Sequence, residues 1–210
     1  MAISNSRGSY DPEQTRKNLM EAAMLEIHKK GFRAAGMDAI LKMAGVTKGA
    51  LYHHFRSKSE LGYAVVEEFI GGMVRQHWME PLEGAENPLD AMIHMFETKE
   101  FAAEEIELGC PLNNLANEMA PIDDTFRKLI EQIYSDWRQT YTRALQQAQD
   151  QGQMTTELDA SSAANYIIAS IEGMASVCKN AQDNHLPTQL MSTMVYFLNS
   201  LRAKQPAATT

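Results

Sequence analysis

Residues 37–58, MDAILKMAGVTKGALYHHFRSK, constrain this chain more than any other stretch. Residues 37–43 have helical spacing, with Ile40 and Leu41 as the large aliphatics. Gly45 falls where that helix must stop, because a residue without a Cβ adopts left-handed backbone cheaply. Thr47 then offers a hydroxyl N-cap to a second short helix running from Lys48 through His54. Two short helices joined by a tight glycine turn are the sequence form of a helix-turn-helix, whose second helix enters the DNA major groove. Lys48, Tyr52, His53 and His54 fall on its outer side, and Leu51 and Phe55 can face inward.

The flanks supply the rest of a small head. Asp11-Pro12-Glu13 open a first helix with an N-cap, a proline at the first helical position and an acid in the first turn. Leu19, Ala23 and Ile27 recur four apart, with Met20 and Met24 alongside. His28-Lys29-Lys30-Gly31 ends that helix with cations and a glycine. Phe32 is expected to plug a three-helix core, leaving Arg16 and Lys17 on the outside. Residues 1–10, with Arg7, read as a loosely held arm.

Beyond the head every periodic stretch is helical. Ser57 or Ser59 can cap a long helix over residues 60–80, Ser57 and Glu60 having capping-box spacing, and the expectation makes that helix the link from head to body. Gly71-Gly72 weakens it and marks a bend. Further helices are expected over residues 89–105, 111–119, 122–152, 160–181 and 187–204, with a tail at 205–210. No strand, internal repeat or low-complexity block stands out. The expected fold class is all-α.

Net charge is −8, an unpromising figure for a chain that holds DNA. The distribution resolves it. Residues 1–58 carry ten Lys and Arg against five Asp and Glu, a net of +5. Residues 59–210 carry nine against 22, a net of −13. A basic head on an acidic body concentrates phosphate attraction at the helix-turn-helix. No apolar run reaches the ~18 residues of a membrane span, and the first residues have no signal-peptide core. Two cysteines, Cys110 and Cys178, form neither a disulfide framework nor a zinc spacing, so a reducing cytoplasm is expected. There is no nucleophile elbow, phosphate loop or metal-ligand spacing. An enzyme, a cofactor and a bound metal are therefore not expected.

Ala44-Gly45-Val46-Thr47-Lys48-Gly49-Ala50-Leu51-Tyr52-His53-His54-Phe55, followed by Ser57-Lys58 and Glu60-Leu61, resembles the DNA-binding signature of TetR/AcrR-type transcriptional regulators. The resemblance covers roughly residues 12 to 65 and goes beyond a bare helix-turn-helix. It implies a three-helix DNA-binding head, residues 1–58, on a larger helical effector-binding and dimerisation body, residues 59–210. It also implies a homodimer on a palindromic operator, released by a small molecule or an electrophile. Many relatives have Thr or Ser near the start of the first short helix, where this chain has Gly36, so that phosphate contact is not carried over. Leu41 stands where relatives often have Ala.

The residues expected to touch DNA are Arg16, Thr47, Lys48, Gly49, Tyr52, His53 and Lys58. Thr47 offers a hydroxyl and an amide to phosphate, Lys48 and Lys58 act as phosphate anchors, and Gly49 permits close approach of backbones. An effector pocket is expected among Met92, Phe96, Cys110, Asn113, Phe126, Tyr134, Trp137, Tyr141 and Met174, because thioethers and aromatics line adaptable pockets. The same residues are equally ordinary core. The dimer interface is expected on the last two helices at Ile167, Ile171, Met174, Cys178, Met194 and Leu198, with Ala169, Ser170, Gly173, Ala175 and Ser176 allowing close approach. Cys110 precedes Pro111 at a helix start, where the dipole favours thiolate, although Glu104, Glu105 and Glu107 oppose it. The function these features support is a ligand-responsive transcriptional regulator, in the family's usual form a repressor. The alternative is a helical protein-interaction module that binds no DNA, which explains the acidic body but not the basic head.

Overall fold

The structure is a computed structural model and describes residues 11–203. The expected N-terminal arm and C-terminal tail lie outside the described residues. The chain forms two compact units, one as far as Phe69 and one from Ile70 onward.

In the first unit α1 spans Pro12–Lys30, α2 Met37–Ala44, α3 Lys48–His54 and α4 Lys58–Ala64. Local chemistry accounts for several of the boundaries. Asp11 Oδ1 accepts from the amides of Glu13 at 3.0 Å and Gln14 at 3.2 Å. Gly45 takes φ 67°, the left-handed conformation that ends α2. Thr47 Oγ1 accepts from the Ala50 amide at 3.2 Å, and Ser57 Oγ from Glu60 at 3.1 Å. The Glu60 carboxylate reaches back to the Arg56 amide at 2.7 Å, one residue further than a standard capping box. Leu19, Ala23, Phe32, Ile40, Leu51, Phe55 and Leu61 bury together as the core. Each of the larger ones contributes on the order of 1.5–3 kcal/mol by leaving water.

From Lys58 to Leu82 the backbone stays helical but changes its hydrogen-bond register. Widened π-type turns cover Val65–Ile70 and Arg75–Met79, on either side of a short α5, Gly71–Val74. A 3-10 turn, Glu80–Leu82, closes the run. The glycine pair therefore sits between two changes of register, where a plain helix with one bend was expected.

The second unit continues with α6 Pro88–Thr98, α7 Ala103–Leu108, α8 Pro111–Met119, α9 Asp124–Asp150, α10 Ala160–Ala181 and α11 Leu186–Ser200. The single helix expected over residues 89–105 is in fact two. Lys99 turns extended, at ψ 115°, and the Glu105 carboxylate accepts the Ala102 amide at 2.8 Å, opening α7. Helices α9 and α10 pack along their length, and α11 packs on α6 and α10. Phe126, Trp137, Tyr141 and Leu145 of α9 and Ala164, Ile167 and Ile168 of α10 are buried. Among the described residues no helix is long and apolar enough to cross a membrane.

Candidate nucleic-acid interface and effector site

Helix α3 presents a polar outer face because Leu51 points into the core one residue before Tyr52 points out. Thr47, Lys48, Gly49, Tyr52 and His53 are all exposed, with Tyr52 at 51%. Lys48 Nζ lies 6.0 Å from the centroid of the Tyr52 ring, one turn further along the helix. Thr47 Oγ1 accepts a backbone amide, so its hydroxyl hydrogen can still donate outward. His53 and His54 meet edge to face at 5.3 Å. Burial, then the neighbouring His53 and Arg16, keep His54 below the usual histidine range. Nothing inside the chain demands glycine at 49, since a Cβ there would meet only Thr47 Oγ1, at 3.9 Å.

Two of the expected phosphate anchors are otherwise engaged. Arg16 forks onto both carboxylate oxygens of Glu68, with Nη1 to Oε2 at 2.6 Å, and its guanidinium lies 5.3 Å above the Phe55 ring. Lys58 Nζ donates to the carbonyls of Ala35 at 2.6 Å and Arg33 at 3.2 Å and sits over Phe32. Arg16 is expected on the outer side of its helix and Lys58 as an anchor beside the motif, but their partners lie 52 and more than 20 residues away in sequence.

In the second unit the residues expected to line a pocket divide into two groups. Met92, Phe96, Phe126, Trp137 and Tyr141 are buried, while Cys110, Asn113, Tyr134 and Met174 are half-buried. The rings form one run. Tyr134 stacks on Trp137 at 6.5 Å and 2°, Trp137 on Trp78 at 5.8 Å and 28°, and Trp78 leans on Phe96 at 5.8 Å. Tyr141 meets Trp137 edge-on at 5.9 Å. Beside the run sits Glu172 of α10, buried, with Cys110 Sγ donating to its Oε1 at 3.6 Å. The Tyr134 hydroxyl approaches the same carboxyl group as a second donor. Asn113 Nδ2 donates to Ser176 Oγ at 2.8 Å and to the Glu172 carbonyl at 3.4 Å.

Of the two opposing influences expected at Cys110, this setting favours the neutral thiol. Burial first, and then the Glu172 carboxylate, push the Cys110 thiol far up, outweighing the start of α8. Two residues of the cluster escaped sequence reasoning. The sequence places Trp78 only within the connecting helix over residues 60–80. Glu172 had a signal that went unused: it is the one acid within α10 and stands four residues after Ile168, on the apolar face.

The expected dimer residues also need correction. Ile167, Ile171, Cys178, Met194 and Leu198 are buried within the single chain, and Met174 is half-buried. Most of their apolar stripe packs into the chain's own core, and of the set Met174 keeps the largest exposed share. The other face of the same helices carries exposed Tyr166, Val177 and Tyr196, the last at 77%, together with Ala169, Gly173 and Ser176.

Comparison with known proteins follows the same division. Residues 19–65 match the model for bacterial regulatory proteins of the tetR family, and residues 86–194 match a tetracyclin repressor-like C-terminal domain. The chain belongs to the TetR family of transcriptional regulators. Among its TetR-family relatives, the transcriptional regulator AcuR of Cereibacter sphaeroides is 30% identical over 73% of this chain and 71% of its own length. The transcriptional repressor DhaR of a Mycobacterium species is 24% identical over 86% of this chain and 90% of its own. The solved structure of a regulatory protein TetR from Rhodobacter sphaeroides superposes with a TM-score of 0.74 at 26% identity, covering 87% of this chain and 97% of the other. The reduced form of Escherichia coli NemR shares the fold, with a TM-score of 0.77 at 22% identity over 92% of this chain and all of the other. This TetR-family chain is thus a ligand-responsive transcriptional regulator by kinship, with a DNA-binding head and a C-terminal helical domain.

Proposed function

We propose that the chain is a cytoplasmic homodimeric repressor that binds a palindromic operator through α3 and is released when a small molecule occupies the C-terminal unit. The observation that carries the reading is the outer face of α3. Thr47, Lys48, Tyr52 and His53 are exposed there together, and among the described residues neither Lys48 nor His53 has an acid partner. One such head reads only a few base pairs, so a two-fold pair on successive major grooves is needed for a specific site. The exposed face of α10 and α11, with Tyr166, Val177 and Tyr196, is the surface suited to a second copy. Release requires that the effector bind the operator-competent and operator-incompetent states with different affinity.

The test is a mobility shift with DNA adjoining the chain's own gene, repeated over a salt series. A sequence-preferring complex that weakens steeply with salt is expected. Absence of any such complex removes the regulator reading and leaves the interaction module. Sedimentation of Tyr196→Arg, expected as a folded monomer, tests the second copy separately.

A further inference from the structure

The buried polar groups of the second unit are incompletely matched. Glu172 Oε2 is buried without a hydrogen-bond partner, and Trp137 Nε1 and Tyr141 Oη have none of good geometry beyond each other. Native interiors pair nearly all such atoms, so the unmatched carboxyl oxygen calls for an explanation. Glu172 is the sharpest of them. It is 8% exposed, and its carboxyl meets only two neutral donors, the Cys110 thiol and the Tyr134 hydroxyl. Among the described residues no Lys, Arg or His pairs with it. Buried carboxylates ordinarily have a cation or a full set of donors.

Aromatic faces continue from the same place. Tyr134, Trp137, Trp78 and Phe96 form an unbroken run of ring contacts, and the first and third of these are half-buried, so the run reaches the surface. An acid beside several ring faces suits one kind of guest. A cation entering beside it favours the charged form of the carboxyl, the rings supply negative faces and dry walls, and both suit such a guest. An anion would oppose the carboxylate. A purely apolar guest would leave Oε2 unpaired.

We propose that this cluster is the effector site and that its ligand is a lipophilic organic cation, an ammonium group beside Glu172 carried on an apolar body against Trp78, Trp137 and Phe96. The inference rests on reading the C-terminal unit as effector-binding, and it adds the chemical class.

Both tryptophans of the chain lie in this cluster, so intrinsic fluorescence of the full-length protein reports on it directly. Titration with benzyltrimethylammonium is expected to change that emission saturably. Its neutral carbon isostere, neopentylbenzene, should bind about tenfold more weakly or worse. Glu172→Gln, which keeps side-chain volume, should erase that preference. Wild-type protein that ignores the cation, or takes both probes alike, overturns the proposal without recourse to any variant. A preference that survives in Glu172→Gln with a native near-ultraviolet circular dichroism spectrum overturns the assignment to this carboxyl. Operator binding is measured on the same preparation. A protein that shifts DNA yet ignores the cation loses only this inference, and one that takes the cation but never binds DNA loses only the regulator reading.

Discussion

Glu26 in the N-terminal unit and Glu172 in the C-terminal unit are both buried, at 5% and 8% exposure, and the chain treats them in opposite ways. Glu26 Oε1 accepts from Lys30 Nζ at 2.8 Å and from the Gly36 amide at 3.2 Å. Its charge is compensated, and the N-cap residue of α2, which has no side chain to cap with, gains a partner for its own amide. The Lys30 hydrogen bond first, and the Gly36 amide second, hold the Glu26 carboxyl below the usual range. Glu172 has only a thiol and a phenol, and burial pushes its carboxyl up. The head closes its interior with its own residues. The body leaves a polar interior open, which is what a unit built to receive something would do.

The largest effect that bears on this contrast is in the body. Trp137 is buried at the centre of the aromatic run, and Trp137→Ala should destabilise the full chain by about 3–5 kcal/mol, read by far-ultraviolet circular dichroism in denaturant. A cost below about 1 kcal/mol would mean that the cluster is not packed as core and would sharpen the difference between the units. In the head, Lys48→Ala should leave stability alone and weaken operator binding about tenfold, with the salt slope smaller by about one. A loss of affinity with the slope unchanged would mean that Lys48 does not reach a phosphate.

The two glutamates should also respond to pH with opposite sign. Glu26 has a lowered folded-state pKa, so its contribution is complete above the ordinary carboxylate value of about 4.3 and disappears as pH falls through the folded value. Glu172 has a raised one, so its contribution is complete below about 4.3 and is lost as pH rises toward the folded value. Cys110 and Tyr134, which face Glu172 from α8 and α9, are both pushed upward by burial and stay neutral through that window. Unfolding midpoints across pH should therefore flatten on the acid side in Glu26→Gln and on the neutral side in Glu172→Gln. Parallel curves for either variant and the wild type would remove that residue from the comparison.

How much could be read from the sequence follows the same divide. The head is governed by rules that act over three or four residues, and Asp11, Gly45, Thr47 and Ser57 all cap where spacing places them. What failed there was long-range: Arg16 and Lys58 looked solvent-facing, and partners distant in sequence hold them. In the body, helix existence was legible and the use of each face was not. Periodicity finds an apolar stripe such as Ile167, Ile171 and Cys178 but does not say whether the chain's own core or a second copy covers it. Likewise Glu172 and Cys110 are 62 residues apart, and only tertiary packing brings carboxyl to thiol.

The smallest expected effect on stability is also the cleanest separation of fold from function. Gly49 lies inside α3, where glycine is a poor helix former by up to about 1 kcal/mol relative to alanine. Gly45 needs its left-handed backbone, but Gly49 does not, and a Cβ at 49 would make only an ordinary contact with Thr47 Oγ1. Folding alone would therefore favour alanine. A helix face pressed against a sugar-phosphate backbone would favour glycine, because one methyl group there holds the two backbones apart. Gly49→Ala should accordingly raise the thermal midpoint slightly while operator affinity falls. If affinity holds and only stability rises, α3 does not approach DNA through this face, and the outward side chains of Thr47, Lys48 and Tyr52 must be serving some other partner.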